Sequence, residues 1–385
     1  MKKFTTEGTE FHREKRIKLR SNSVLLGTWH MPSAVLCGKK IIICFIILLL
    51  SGCGRTAPIT VAEQTPPEQT TETIRRFVTP EPALEQEVHQ PRFTGQRIIL
   101  CREKAQPGEP LVVAFTDSDS APEGLRATLL NAAGRRLSGA QFFSLSREEG
   151  EQEVFAAVLA IPNTAAAGNV TVRVESPAGI IRDLPFTIEP REFFAETIHL
   201  NPVNTAIRTD PSPQRTREAD QLWAILNTTG DTVYSGAAFL RPIASTRVTS
   251  LYGSRRIYQY AGGGSDTTIH AGIDFGIPTG TEVWAAARGR VALARFRMVT
   301  GYTVILEHLP GLYSLYYHMN RIVVQEGSIV EVGQRLGESG ATGLATGPHL
   351  HWEIRISGEN ADPNAFVGRP VLDKNHLLAK LMDSD

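Results

Sequence analysis

The sequence has no excess of charge of either sign, since 40 Lys and Arg residues balance 40 Asp and Glu residues. A chain without net charge produces no long-range field that attracts a polyanion, so we expect no nucleic-acid partner. Specificity must then come from a local site. Because 42% of the 385 residues are hydrophobic, wholesale disorder is also excluded, and the length suits two folded domains.

Cysteine is scarce, and its positions exclude a disulfide framework. Cys37 and Cys44 lie within an N-terminal leader and Cys53 ends it, which leaves Cys101 without a partner. We therefore expect no disulfide in the mature fold.

Two further absences exclude whole classes of protein. No helical His-Glu-x-x-His motif occurs, which disfavours a thermolysin-like enzyme. The Gly and Val pattern of residues 324–336 is similar to domains that carry biotin or lipoate on a lysine. No lysine occurs between Lys104 and Lys374, so that interpretation fails on chemistry.

Long apolar runs are absent except at residues 41–50, which follow two lysines. This run is too short to span a bilayer but suits a secretory signal. Residues 50–53, Leu-Ser-Gly-Cys, resemble the lipobox of bacterial lipoproteins. The resemblance implies that Cys53 becomes the acylated first residue, anchored to a membrane of the cell envelope and facing the periplasm. An uncleaved signal anchor is the alternative, and Met31 is a candidate for the true start.

The remaining sequence predicts a mainly β protein with two domains. Residues 54–95 are rich in Thr, Pro, Glu and Gln, which predicts a disordered tether. Short β-type segments between turn signals follow, as in an Ig-like β-sandwich. The predicted divisions are a leader with a lipoprotein signal (1–53), the tether (54–95), a β-sandwich domain (96–190), a connector (191–246) with one helix from Arg215 to Leu226, an antiparallel β catalytic domain (247–371) and a C-terminal tail (372–385).

His270 and Asp274 lie four residues apart near the start of the last domain. This spacing suits a helix, but Gly272, Gly276 and Pro278 disfavour one. The pair is therefore predicted where a loop enters a strand, and alone it indicates little.

Residues 347–353, Gly-Pro-His-Leu-His-Trp-Glu, carry a stronger signal. In a strand, alternate side chains share a face, so His349, His351 and Glu353 point one way while Leu350 and Trp352 point the other. Two imidazoles on one side of a strand are hard to explain as core packing.

A hydrolytic zinc needs three N or O ligands and an open fourth position. His270, Asp274 and one of the two strand histidines supply that number, and the other strand histidine is free for proton transfer. His318 is a second candidate for proton transfer. It is predicted to share a face with Tyr316, and the alternative for it is an ordinary cross-strand neighbour of aromatic residues.

Two other histidines lack such company. We interpret His308 and His376 as ordinary surface residues.

Together these residues resemble the lysostaphin and LytM type of zinc peptidoglycan endopeptidase, over residues 249–363. The shared motifs are residues 252–255 (Tyr-Gly-Ser-Arg), 270–274, 283–286 (Val-Trp-Ala-Ala), 316–318, 327–337 and 347–353. The resemblance implies a β fold of the duplicated hybrid motif type. It also implies Zn²⁺ held by His270, Asp274 and His351, with His318 and His349 as the catalytic pair.

The implied activity is hydrolysis of the peptide cross-links of bacterial peptidoglycan, in cell-wall remodelling. Either His318 or His349 can act as general base, and the sequence leaves that open. Tyr316 is a candidate for the oxyanion hole. Glu353 either orients a ligand or is a solvated carboxylate.

A non-catalytic activator of other wall hydrolases is the alternative function. It would predict at least one missing ligand, and none of the expected residues is missing. The connector and the β-sandwich either direct the catalytic domain toward the wall or cover its groove.

Overall fold

The computed structural model of the protein describes residues 97–117, 124–145 and 153–382. The predicted leader and tether, with Met31 and Cys53, lie outside these residues, as does the end of the tail. The described residues contain no helix with the length and hydrophobicity that a membrane span requires. Within the same residues Cys101 is a free thiol.

The first part of the described chain forms two facing sheets. Its strands are β1 (Ile98–Leu100), β2 (Lys104–Ala105), β3 (Pro110–Asp117), β4 (Arg126–Leu130), β5 (Arg136–Gln141), β6 (Phe143–Ser144), β7 (Glu153–Ala160), β8 (Gly168–Ser176) and β9 (Gly179–Ile188). One sheet has the order β1-β3-β7-β6 and the other β2-β9-β8-β4-β5. The predicted mainly β class is confirmed, whereas the Ig-like topology stays a prediction.

Strand β3 is buried on both faces, because one face of its sheet packs against the second sheet and the other packs against the C-terminal domain. Val113 and Phe115 pack toward the second sheet, while Val112 and Ala114 join the core of the C-terminal domain. The alternation follows from the two-residue period of a strand. The N-terminal sheets and the C-terminal sheet therefore share a hydrophobic boundary.

The connector is more regular than predicted. It contains β10 (Ala195–His199), α1 (Pro202–Thr209) and α2 (Pro213–Asn227). The helix predicted from Arg215 is confirmed as part of α2, which Ser212 caps by accepting a hydrogen bond from the Arg215 amide at 3.3 Å. Strand β10 pairs in parallel with a strand of the C-terminal domain, and no sequence pattern indicates this pairing.

The C-terminal domain is almost wholly antiparallel β. Its strands are β11 (Val248–Ser250), β12 (Arg255–Gln259), β13 (Ser265–Ile269), β14 (Gly272–Phe275), β15 (Glu282–Trp284), β16 (Gly289–Arg297), β17 (Gly301–Leu309), β18 (Leu312–Ile322), β19 (Ile329–Val330), β20 (Arg335–Ser339), β21 (Leu350–Ile356) and β22 (Glu359–Ala361), followed by a 3₁₀ turn (Pro363–Ala365) and by α3 (Lys374–Met382). The main sheet has the order β11-β14-β21-β18-β17-β16-β19, and β10, β12 and β13 form a small sheet. Residues predicted as a tail thus begin with a helix. The duplicated hybrid motif stays a prediction.

His308 is not the surface residue that we predicted. It is fully buried on β17, with Nδ1 donating to the Arg288 carbonyl at 2.9 Å and Nε2 lying 2.7 Å from Ser314 Oγ. Burial lowers the pKa of His308 to about 4, so the ring is neutral. The prediction is wrong because β17 lies between β16 and β18, inside the sheet. His376 is exposed on α3, as predicted.

Candidate metal centre and active site

Three side chains converge on one point between two neighbouring strands. Asp274 on β14 lies opposite His351 on β21, and His270 precedes β14. The Asp274 Oδ1 atom lies 2.8 Å from His351 Nδ1 and 3.1 Å from His270 Nε2, and these two nitrogens are 3.0 Å apart. All three side chains are buried. The structure therefore brings together the three residues predicted as ligands.

The three donor atoms suit a tetrahedral metal ion. Bonds of about 2.0–2.1 Å at a tetrahedral angle separate two donors by about 3.3 Å. The observed separations of 2.8, 3.0 and 3.1 Å differ from this by a few tenths of an ångström, which small side-chain rotations accommodate. Two imidazole nitrogens and one carboxylate oxygen leave a fourth position free, as in hydrolytic zinc sites.

Each ligand imidazole is oriented through its other nitrogen. His270 Nδ1 donates to the Leu251 carbonyl at 2.8 Å, so Nε2 faces the centre. His351 Nε2 lies 3.3 Å from Glu353 Oε2, so Nδ1 faces the centre. Partners of this kind set the tautomer and the ring orientation of a metal-binding histidine. The two histidines present different nitrogens because their partners lie on different sides.

Glu353 is a buried partner of His351, not a solvated carboxylate. Its side chain is only 2% exposed and also accepts from Arg355. Burial opposes its ionisation, but Arg355 and His351 lower the pKa of Glu353 to about 2. Of the two alternatives that the sequence leaves open, the structure supports the orienting role.

Asp274 is held from its second oxygen as well. Burial disfavours its charge, yet His270 and His351 keep the pKa of Asp274 well below the usual value. Its Oδ2 atom lies 2.5 Å from Nη2 of Arg256, and Nε of Arg256 donates to Glu196 Oε1 at 2.7 Å. Sequence reasoning missed both Arg256 and Glu196. The one signal for Arg256 is that it directly follows the motif of residues 252–255, and Glu196 has no such signal.

Two more imidazoles lie beside the three donors. His318 Nδ1 donates to the Thr342 carbonyl and His349 Nδ1 to the Gly347 carbonyl, both at 2.8 Å. A carbonyl oxygen only accepts, so Nε2 is the unprotonated nitrogen in the neutral form of each ring. The two ring centroids are 4.6 Å apart, and His349 Nε2 lies 3.9 Å from Oδ1 of Asp274. The predicted catalytic pair therefore adjoins the metal centre.

His318 is neutral in this environment. Burial, together with the neighbouring imidazoles of His349 and His351, lowers the pKa of His318 to about 3. His351 behaves differently. Burial opposes its charge, but hydrogen bonds to Asp274 and Glu353 raise the pKa of His351 to about 9 in the absence of a metal.

A β-bulge places His318 at the site and overturns one prediction. Met319 pairs with Tyr302 and Tyr316 pairs with Val304, so two residues of β18 oppose one residue of β17. His318 at the bulge has a left-handed φ of 60°. Two consecutive side chains, Tyr317 and His318, therefore both line the groove, whereas alternation predicts that Tyr316 and His318 share a face.

Tyr317, not Tyr316, is the tyrosine of the site. Its ring stacks on that of His351, with centroids 5.2 Å apart and planes 9° apart. Tyr316 is fully buried on the opposite face, where its hydroxyl accepts from the Ala286 amide at 3.0 Å. A role for Tyr316 in an oxyanion hole does not fit this position.

The site lies in a groove with a cavity of about 640 Å³, and the connector forms part of it. Glu196 of β10 lines one wall. Asn204 of α1 donates from Nδ2 to the Ala345 carbonyl at 2.9 Å, and Glu218 of α2 accepts from the Met298 amide at 2.7 Å. The connector therefore lines part of the groove and contacts segments that adjoin it. An inhibitory role for it stays a prediction.

Residues 268–363 match the model of Peptidase family M23. The chain is 36% identical over 127 residues to the peptidoglycan DD-endopeptidase ShyC of Vibrio cholerae, which is 33% of this chain and 29% of that protein. It is 34% identical over 131 residues to the DD-carboxypeptidase/endopeptidase Mpg of Neisseria meningitidis, again 33% of this chain and 29% of that protein.

Among solved structures, the catalytic domain of the antimicrobial peptidase lysostaphin from Staphylococcus simulans is 26% identical, with a TM-score of 0.25. The match covers 37% of this chain and 93% of that one. The match of residues 268–363 to Peptidase family M23 confirms the predicted family for this part of the chain. The chain matches less than a third of the length of the two curated relatives above.

The approach of β14 to β21 depends on Gly272, and Gly272→Ala should disturb the metal centre. A Cβ atom at this position would lie 2.2 Å from the Trp352 carbonyl oxygen, so β14 has to move away from β21. We expect a loss of at least about 2 kcal/mol in the free energy of unfolding, measured in urea, and weaker binding of added zinc.

Gly262→Ala is the matched control, because a Cβ atom there meets nothing within 4 Å. Equal stability and zinc affinity in both variants would contradict the proposed dependence on strand contact.

Proposed function

We propose that the peptidase family M23 domain makes this protein a zinc-dependent endopeptidase that hydrolyses peptide cross-links of bacterial peptidoglycan. The observation that carries the proposal is the set of three convergent donors with two spare imidazoles beside it. The spare imidazoles distinguish a hydrolytic site from a structural zinc site, in which four protein ligands close the coordination. The named activities of ShyC and Mpg support peptidoglycan as the substrate.

His270, Asp274 and His351 would hold the metal. A zinc ion bound there would supply Lewis acidity, which lowers the pKa of a bound water molecule and polarises a carbonyl. The protein groups supply the proton transfers. In its neutral form each of His318 and His349 has an unprotonated Nε2, so one ring can accept the proton of the attacking water and return it to the leaving amine. The other ring can donate to the oxygen on which negative charge develops only with Nε2 protonated, because its Nδ1–H is bound to a backbone carbonyl.

The surrounding residues keep these groups in place. Leu251 and Glu353 orient the two ligand imidazoles through their outer nitrogens. Tyr317 covers one face of the His351 ring and limits its rotation. Holding reacting groups in a fixed geometry lowers the entropic part of the barrier to hydrolysis.

A non-catalytic activator of other wall hydrolases remains the second candidate. Such a protein has no need of a complete site. All five residues, His270, Asp274, His318, His349 and His351, are present and adjoin one another, which supports the enzyme.

Asp274→Ala should abolish both metal binding and cleavage. The variant removes the oxygen that lies between both ligand imidazoles. We expect the purified wild-type chain to bind one zinc ion and to release fragments from defined cross-linked muropeptides, detected by mass spectrometry. Asp231→Ala, which alters an exposed carboxylate, serves as the control. An unchanged muropeptide profile after incubation with the zinc-loaded wild-type protein would contradict the proposal that the protein is an enzyme.

His318→Asn and His349→Gln should separate catalysis from metal binding. Asn tolerates the left-handed backbone found at His318, so this variant keeps the bulge. Loss of a proton-transfer group typically lowers the rate by about 10²- to 10⁴-fold. We therefore expect the turnover number to fall by that factor while the zinc affinity stays near the wild-type value.

His376→Gln on α3 is the control for this pair, and its turnover should match that of the wild type. If either site variant keeps full turnover, that histidine has no catalytic role.

The proposal places the enzyme in the cell envelope, held to a membrane by lipid on Cys53 and facing the periplasm. Its support is the short apolar run of residues 41–50 followed by Leu-Ser-Gly-Cys. Metabolic labelling with a fatty acid should mark the wild-type chain and not Cys53→Ser. Labelling of both chains, or of neither, counts against the anchor.

A further inference from the structure

Arg256 occupies the outer oxygen of the central ligand. Its Nη2 atom lies 2.5 Å from Asp274 Oδ2, while Asp274 Oδ1 faces the two ligand histidines. The Arg256 side chain is 11% exposed and the Asp274 side chain 10%, so solvent screens this ion pair weakly. The pair is therefore part of the buried structure around the metal centre.

Arg256 is in turn held by Glu196. Nε of Arg256 donates to Glu196 Oε1 at 2.7 Å, and the same oxygen accepts from Ser250 Oγ at 2.7 Å. Ser250 Oγ also lies 3.3 Å from His270 Nδ1. One carboxylate on β10 thus contacts the groups that stand behind two of the three metal ligands.

Neither residue of this pair belongs to the segment matched to the peptidase family, which begins at residue 268. Glu196 comes from the connector, and β10 reaches the site because it pairs in parallel with β12, where Glu196 lies opposite Arg256. The neighbouring Arg255 faces away from the groove and donates to the Asn163 carbonyl at 2.8 Å. Alternation along β12 therefore directs only Arg256 to the metal centre.

We propose that Arg256, fixed by Glu196, is a positioning residue that makes Asp274 a ligand through Oδ1 alone. With Oδ2 engaged by the guanidinium, the carboxylate can neither rotate nor offer both oxygens to the metal. Glu196 balances the charge of Arg256, so the pair adds orientation to the site without adding net charge. This inference rests on the proposed zinc site but not on the substrate.

The first test is zinc affinity, measured by competition with a chromogenic chelator on the full purified chain. Loss of an outer partner of a metal ligand typically weakens metal binding by about 10- to 100-fold. We expect Arg256→Met to show a loss in this range. Arg256→Lys and Glu196→Gln should show smaller losses, because lysine keeps the charge without the two-sided fork and glutamine keeps an acceptor.

Arg290→Met is the matched control. Arg290 also pairs with a buried carboxylate, since its Nη2 lies 2.6 Å from Glu307 Oε2, but Glu307 is not among the groove residues. Its loss should lower thermal stability and leave zinc affinity unchanged. If Arg256→Met does not fold, the zinc affinities of Arg256→Lys and Glu196→Gln test the inference instead.

The visible spectrum of the Co²⁺-substituted protein reports the number of metal ligands, which a purely structural role of Arg256 would leave unchanged. Four-coordinate Co²⁺ absorbs more strongly in the visible range than five-coordinate Co²⁺, and an aspartate that binds through both oxygens adds a ligand. We expect the visible bands of Co²⁺ to weaken in Arg256→Met relative to the wild type. Wild-type zinc affinity and an unchanged Co²⁺ spectrum in the folded variants would overturn the inference. Because neither assay involves peptidoglycan, failure of the proposed substrate would leave their results standing.

Discussion

The pairing of β14 with β21 is the constraint on which the site depends. In this antiparallel register Asp274 lies directly opposite His351, and their side chains meet on the groove face with Asp274 Oδ1 and His351 Nδ1 2.8 Å apart. A shift by one residue would turn every side chain of one strand to the other face. Gly272 permits the close approach of the strands, and Trp352, fully buried on the core face, holds the register.

Burying a carboxylate and several imidazoles is costly unless each polar atom has a partner. The site meets this cost with hydrogen bonds that also orient each group. Backbone carbonyls accept from the outer nitrogens of His270, His318 and His349. Glu353 binds the outer nitrogen of His351, and Arg256 donates to the outer oxygen of Asp274. The same contacts therefore provide both stability and the direction in which each donor points.

Sequence reasoning predicts the part of the site that follows strand alternation or a family motif. The common face of His351 and Glu353 and the opposite orientation of Trp352 come from the two-residue period alone. The bulge at His318 has no sequence signature, so the prediction for Tyr316 fails by one position. Glu196 could not be predicted either, because its role arises from a parallel pairing between segments far apart in the chain.

X-ray absorption at the zinc edge of the metal-loaded chain would identify the atoms that bind the metal. We expect two imidazole nitrogens and two oxygens at about 2.0–2.2 Å, one oxygen from a carboxylate and one from water. Three or more imidazoles around the metal, or a coordination closed by protein ligands alone, would contradict this expectation.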